Sequence, residues 1–309
     1  MPSQDGLTPM SGPLLVARAD ATNHTGAGHA MRCLGVLERW IDSGGRAELW
    51  GTIKIGFVRR RAERVGVPIV AAPGNGAAVL LVDVYDPTER TTLGLERTVS
   101  VRVLVEDFGE DIPPGYSAVW NPNAYAAASD YSDFAGRVLA GQEFVPVQEG
   151  LPAWVGGGVG AVSFGAMRLS DRLASVMGAL PAACGVSSLQ CVATSLPARC
   201  RPVPADDVWS TLKYAPWLIS AVGSTTWEAA VVGIPFVGVI AADNHVVAAR
   251  WVASHGVPVV DLRPEGSPED AATALAVAVK QARPLPRLHP GARAVVCEVR
   301  SLIGWTSRR

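Results

Sequence analysis

Between Arg18 and Cys33 the chain reads Arg-Ala-Asp-Ala-Thr-Asn-His-Thr-Gly-Ala-Gly-His-Ala-Met-Arg-Cys, its densest run of residues that can do chemistry. Gly26 and Gly28 permit positive φ and close backbone approach. The first amides of a following helix can therefore face an anion or a sugar oxygen. His29 stands at that mouth, where a neutral imidazole can take a proton near neutral pH. The positive end of a helix favours that neutral form. Two roles are open to His29: general base, which is preferred, or hydrogen-bond donor to the ligand. Asp20 either orients His29, binds a second substrate, or is a structural acid at a strand end.

A second constellation runs from Ile219 to His245. It reads as strand, Gly223-Ser-Thr turn, helix, Gly-Ile-Pro turn, strand, and then an Asp-Asn-His loop opening another helix. A helix starting at Ser224 or Thr225 offers free amides and two hydroxyls to phosphate oxygens, which suits a diphosphate. Glu228, read as lying on the first turn, has a carboxylate able to accept both hydroxyls of a ribose. The plainer alternative is that Ser224 caps the helix and Glu228 completes the capping arrangement.

Elements that would position these groups alternate along the chain. Apolar runs predict strands at Leu14 to Arg18, Ala47 to Ile53, Pro68 to Ala71, Ala78 to Val84 and Val101 to Glu106, with helices after the first two. An irregular stretch from Gly115 to Tyr131 follows, then a linker with Pro and Gly from Pro146 to Gly160. Strands are predicted again at Gly160 to Phe164, Ser188 to Thr194, Trp217 to Ala221, Pro235 to Ile240 and Val257 to Asp261. Helices are predicted from about Ser170, Asp206, Ser224, Asn244 and Ser267. This βα order implies parallel sheets covered by helices, and two domains, 1–150 and 151–309.

The 309 residues carry a net charge of −1, and only three of the 27 basic residues are lysine, so a polyanionic partner such as nucleic acid is not expected. No stretch approaches the ~20 apolar residues of a membrane span, and Met1 to Gly12 lack a signal-peptide pattern, so a cytoplasmic protein is expected. Five irregularly spaced cysteines, with no Cys-x-x-Cys pair, read as reduced structural thiols. No Asp-x-Asp metal motif stands at a strand end, since Asp83 and Asp86 are spaced differently. Neither a metal nor another cofactor is expected.

Three motifs together resemble the GT-B superfamily of nucleotide-sugar enzymes. They are Arg18-Ala-Asp20 with Gly26-x-Gly-His-x-Met-Arg-Cys33; Asn121-x-Asn-Ala-Tyr-x-x-x-Ser-Asp-Tyr131; and Gly223-Ser-Thr-x-x-Glu228 followed by Gly233-x-Pro235 and Asp243-Asn244. The similar branch contains UDP-sugar hydrolases of pseudaminic acid biosynthesis and spore-coat polysaccharide proteins. The resemblance implies two Rossmann-like domains facing a cleft, the second holding the nucleotide and the first completing the reaction centre. The last ~25 residues are read as crossing back to the first domain, as in related folds.

Residue by residue, the resemblance makes His29 the group at the anomeric carbon and places Gly28 and Tyr85 beside the sugar. Ser224 and Thr225 after Gly223 become the phosphate loop, Glu228 the ribose ligand, and Asn244 a polar position near the sugar; His245 adjoins it within reach of the donor, with a cap or surface role as the plainer alternative. Where the hydrolases carry Gly-Gly-x-Asp, this chain has Gly165-Ala-Met-Arg168. An arginine there pairs with phosphate or with a sugar carboxylate. That departure favours transfer over hydrolysis, in the manner of cytosylglucuronate synthases, which join glucuronate from its UDP ester to cytosine. A UDP-sugar donor and a small acceptor are thus the expected partners. A hydrolase and a non-catalytic nucleotide-sugar binder are the alternatives.

Overall fold

A computed structural model describes residues 12–96, 98–109, 112–165, 169–192, 199–204, 207–263 and 266–305. Among them two parallel sheets form, one in each domain. The first contains β1 (Leu14–Ala19), β2 (Arg46–Trp50), β3 (Ile69–Val70), β4 (Ala77–Asp83), β5 (Val101–Val105), β6 (Ala118–Trp120) and β7 (Arg137–Leu139), in the order β3-β2-β1-β4-β5-β6-β7. The second contains β8 (Ala161–Ser163), β9 (Leu189–Val192), β10 (Cys200–Pro202), β11 (Leu218–Ala221), β12 (Phe236–Ile240) and β13 (Val259–Asp261), in the order β10-β9-β8-β11-β12-β13. Helices α1 (Gly28–Asp42), α2 (Gly56–Arg64) and α3 (Pro87–Gly94) belong to the first domain. Helices α4 (Asp171–Ala183), α5 (Val208–Leu212), α6 (Ser224–Val232), α7 (Val246–Ser254) and α8 (Pro268–Val279) belong to the second, and α9 (Ala292–Leu302) follows.

The central strands of each sheet are largely apolar because both faces are covered. Leu15, Ala17 and Ala19 of β1 point into one core, while Leu14 and Val16 point into another. The second sheet repeats this, with Leu218 and Phe236 on one side and Ile219 and Val237 on the other. Helix α1 lays Ala30, Leu34, Leu37 and Trp40 on the first sheet at helical spacing, all fully buried. Each of the larger three contributes roughly 1.5–3 kcal/mol by leaving water. Val295, Val296 and Val299 of α9 join that same core, and Trp305 packs on Trp40 with ring centroids 4.9 Å apart.

The short elements depart from the sequence reading. The stretch read as irregular contains β6, whose three residues are too few to show a period. Strands β7 and β10 and helix α3 were also not foreseen, although α3 carries a start signal: Asp86 caps it by accepting the Glu89 amide, and Pro87 opens it. The expected start at Asp206 and the strand end at Thr194 lie outside the described residues. Ser170 and Ser267 do cap α4 and α8. Residues 146–160 form no strand or helix and are strapped to the second domain, where the Trp154 amide donates to the Val232 carbonyl at 3.0 Å. The five cysteines are free thiols, and no described helix is long and apolar enough to cross a membrane.

The strand orders locate the site. In the first sheet the chain runs from β1 outward to β3, then returns to the opposite side of β1 with β4. In the second it runs from β8 outward to β10 and returns to the opposite side of β8 with β11. Each reversal opens a crevice at the carboxyl ends of the two central strands, the position where such sheets bind ligands.

Candidate active site

The β1/β4 crevice holds His29. After β1 the chain turns through Gly26, whose φ of +73° is a left-handed conformation that a side chain would strain. Gly28 adopts no such conformation and simply begins α1, so of the two glycines only Gly26 is needed for its freedom. His29 is the second residue of α1 and only 8% exposed, and its Nδ1 lies 2.6 Å from Oδ1 of Asp83. Asp83 ends β4, and the strand register sets it beside Ala19 of β1.

Burial works against an ionised Asp83, but the Arg32 charge and the hydrogen bonds from Arg32 and His29 outweigh it and hold the carboxyl below its usual range. An ionised carboxylate only accepts, so the short contact places the proton on Nδ1. In the neutral imidazole, Nε2 is then the basic atom.

Arg32 sits one turn beyond His29 on the same face of α1. Its guanidinium donates to Asp83 through Nε and a terminal nitrogen, both at 2.6 Å, and to Asp107 at 2.7 and 3.0 Å. Asp107 follows β5. It also accepts the Tyr85 hydroxyl at 3.1 Å and the Asn123 amide at 3.0 Å. Tyr85 presents its ring at 88° to the His29 ring, with centroids 4.5 Å apart, and remains about half exposed. Burial and the nearby Asp107 charge push its phenol above the ordinary range, which keeps it a donor.

Asp20 does not orient His29. Its oxygens accept Arg18 at 2.7 and 3.0 Å and the Thr52 amide at 2.7 Å, which ties it to the β2 side of β1. The imidazole's partner comes instead from β4, across the strand reversal. Sequence reasoning passed over Asp83, Arg32 and Asp107. The available signals were an acid closing or just following a buried apolar run and an arginine three residues after the histidine.

The β8/β11 crevice is built differently. Gly165 follows β8 with φ +58°, and Arg168 lies outside the described residues. Helix α6 begins at Ser224 with Gly223 as its N-cap. The Gly223 amide donates to Thr226 Oγ1 at 3.2 Å, so buried Thr226, rather than Ser224 with Glu228, braces the turn. Ser224 is exposed and Thr225 partly so, leaving both hydroxyls at the positive end of the helix.

Glu228 is the fifth residue of α6 and belongs to its second turn rather than its first. Its Oε2 accepts the Trp209 indole N–H at 3.0 Å, and burial pushes its carboxyl up to about 6 despite that bond. Asn244 is exposed in a 3-10 turn, Asp243–His245, that leads into α7. His245 Nδ1 accepts the Ala241 amide at 3.2 Å; burial and Arg263 lower its pKa, leaving Nε2–H as a donor.

The domains meet beside these loops. Trp227 of α6 donates its indole N–H to Asn123 Oδ1 at 3.3 Å, and its ring lies 6.2 Å from that of Tyr125 and 5.4 Å from that of Trp251. A cleft of about 520 Å³ opens between Asp107, Phe108 and Tyr125 on one wall and Arg250 and Trp251 of α7 on the other. Tyr131, the other tyrosine of the middle motif, is buried and donates to Glu106 at 3.0 Å.

Solved structures share this architecture over nearly their whole length. The spinosyn rhamnosyltransferase SpnG superimposes with a TM-score of 0.57 at 16% identity, covering 94% of this chain and 96% of its own. A putative UDP-N-acetylglucosamine 2-epimerase from Listeria monocytogenes gives 0.62 at 10% identity, with 97% and 98% covered. MnaA from S. aureus, solved with UDP, gives 0.62 at 9% identity, with 96% and 98% covered. The fold is GT-B. No protein-family model and no curated protein matches the sequence. The two-domain parallel-sheet fold is thus shared by this chain and by proteins of very different sequence.

Proposed function

We propose that the protein is an inverting, metal-independent glycosyltransferase that uses a UDP-sugar donor. The observation that carries this reading is His29 Nδ1 lying 2.6 Å from Asp83 Oδ1 at the mouth of the β1/β4 crevice, a contact that an ionised Asp83 makes with a protonated Nδ1. That arrangement leaves Nε2 to accept a proton from an attacking group. The acceptor, losing its proton to Nε2, attacks the anomeric carbon opposite the departing UDP, and the new bond forms with inversion. General-base action of this kind contributes about 10²- to 10⁴-fold.

The leaving diphosphate gains charge in the transition state. The Ser224 and Thr225 amides and hydroxyls at the head of α6 face that charge, a type of contact that typically supplies roughly 3–4 kcal/mol. Gly165 and Gly223 let backbone approach the phosphates, Glu228 takes the ribose hydroxyls, and Tyr85, Asn244 and His245 border the sugar. Asp20, engaged by Arg18 and Thr52, serves the shape of the crevice. The cleft of about 520 Å³ lined by Tyr125, Phe108 and Trp251 beside Asp107 is the place for a planar acceptor.

The finer reading is a uronate donor, UDP-glucuronate, with cytosine as acceptor, as in cytosylglucuronate synthase. It rests on the arginine at position 168, where an acid would disfavour a sugar carboxylate. UDP release from UDP-glucuronate, followed with and without cytosine, tests it. Acceptor-dependent release is the expected result. Release independent of acceptor would mean hydrolysis, and UDP binding without release a non-catalytic binder.

A further inference from the structure

Two exposed side chains, one on each wall, face the cleft between the domains. Along α7, Val247, Arg250, Trp251 and Ser254 share one helical face, and all four line the cleft. Among the described residues the Arg250 guanidinium has no hydrogen bond or ion pair, so its donors are open to whatever enters. On the opposite wall Asp130 lies against Gly109, where an added Cβ would stand 3.8 Å from the Asp130 Cβ. Asp130 Oδ2 accepts the Ala127 amide at 2.8 Å, which anchors the carboxylate, while Oδ1 accepts from no described residue.

The surfaces behind this pair are held in place. The Tyr125 hydroxyl donates to the Asp107 carbonyl at 3.0 Å, and Trp251 stands edge-on to buried Trp227 with ring centroids 5.4 Å apart. Phe108 lies 6.2 Å from Tyr85, whose ring contacts His29, so the cleft adjoins the group read as the base.

Charge decides what the pair can hold. Asp83 and Asp107 share the single Arg32 guanidinium, which leaves that cluster one negative charge in excess when His29 is neutral. Asp130 adds another and Arg250 cancels only one, so the cleft disfavours an anion although it contains a free cation. A cation meets Arg250 itself. A neutral ligand satisfies both walls if it offers a carbonyl or ring-nitrogen acceptor to Arg250 and an N–H donor to Asp130.

We infer that Arg250 and Asp130 determine acceptor specificity, selecting a neutral planar heterocycle that carries a hydrogen-bond acceptor and an amino donor on one edge. This rests on the reading of the cleft as the acceptor site. A ring with a carbonyl in place of the amino group sets an oxygen against the Asp130 carboxylate, two acceptors with no proton between them.

Calorimetry on the full chain tests this with three probes: cytosine, which has that edge; uracil, which replaces the amino group by a carbonyl; and benzoate, a planar anion. The wild type is expected to bind cytosine roughly tenfold more tightly than either of the others, and Arg250→Ala to weaken cytosine by about the same factor. Asp130→Asn gives the sharper result. Its side-chain oxygen can keep the Ala127 amide while its NH₂ faces the cleft, so the preference should reverse toward uracil. A role confined to bracing the turn would leave the preference unchanged. UDP affinity should stay within about threefold of the parent in both variants, since neither residue belongs to the nucleotide crevice. Uracil or benzoate bound by the wild type as tightly as cytosine, no binding of any probe, or an unaltered preference in Asp130→Asn would overturn the inference. UDP release from UDP-glucuronate with cytosine present is followed separately: selective binding without release removes the transferase reading and leaves the selectivity standing.

Discussion

The two crevices share a topology and differ in how their polar groups are satisfied. At β1/β4 the charged groups are buried and bonded to one another. Asp83, Arg32 and Asp107 form a closed cluster that also holds His29, Tyr85 and Asn123. At β8/β11 Ser224 and Asn244 are exposed and the start of α6 faces outward, with Glu228 bonded to Trp209. The first crevice is organised before any ligand arrives, as suits a group that must hold one proton in one place. The second presents donors that a phosphate and a ribose would satisfy.

Arg32 offers the largest way to break this contrast. Replacing it with Met leaves two buried carboxylates facing each other, and unfolding in urea is expected to show a loss of about 3–5 kcal/mol. Asn244→Ala, at the exposed turn of the other crevice, should stay within about 0.5 kcal/mol of the parent. Comparable losses in both would erase the distinction between a pre-organised and an open half.

A smaller effect sharpens the open half through pH. Glu228 titrates at about 6 in the folded chain, against an ordinary value of 4.5. Ribose hydroxyls need its ionised form, so UDP affinity should rise about tenfold per pH unit up to 6 and then level off. Stability runs the other way. Between pH 4.5 and 6 the unfolded chain has released this proton and the folded chain retains it, so stability falls by about 2 kcal/mol as pH rises through that window. In Glu228→Gln both dependences should be absent, as calorimetry and urea unfolding at several pH values will register. A pH-independent UDP affinity in the parent would take Glu228 out of the nucleotide site.

Long buried strands were legible from composition alone. The runs at Leu14, Ala78, Val101 and Pro235 are apolar because both faces are covered, and β1, β4, β5 and β12 follow them within a residue or two. Three-residue strands such as β6 carry no period to read. Within the site, His29 stood out because a glycine turn and a helix start surround it in sequence. Its partner did not, because Asp83 is 54 residues away and becomes a neighbour only through the pairing of β1 with β4. Asp20, close in sequence, was one candidate for that role beside that of a structural acid, and its bonds to Arg18 and Thr52 fit the latter. The cap of α6 was misread for a related reason: Ser, Thr and Thr follow one another there, and only the turn geometry selects Thr226.

The account turns on His29 as the base, and His29→Asn tests it most directly, with UDP release from UDP-glucuronate and UDP affinity measured on the same preparation. The expected result is a fall in release of about 10²- to 10⁴-fold with UDP affinity held within about threefold. Turnover retained alongside weakened UDP binding would contradict the account and leave His29 as a ligand for the donor.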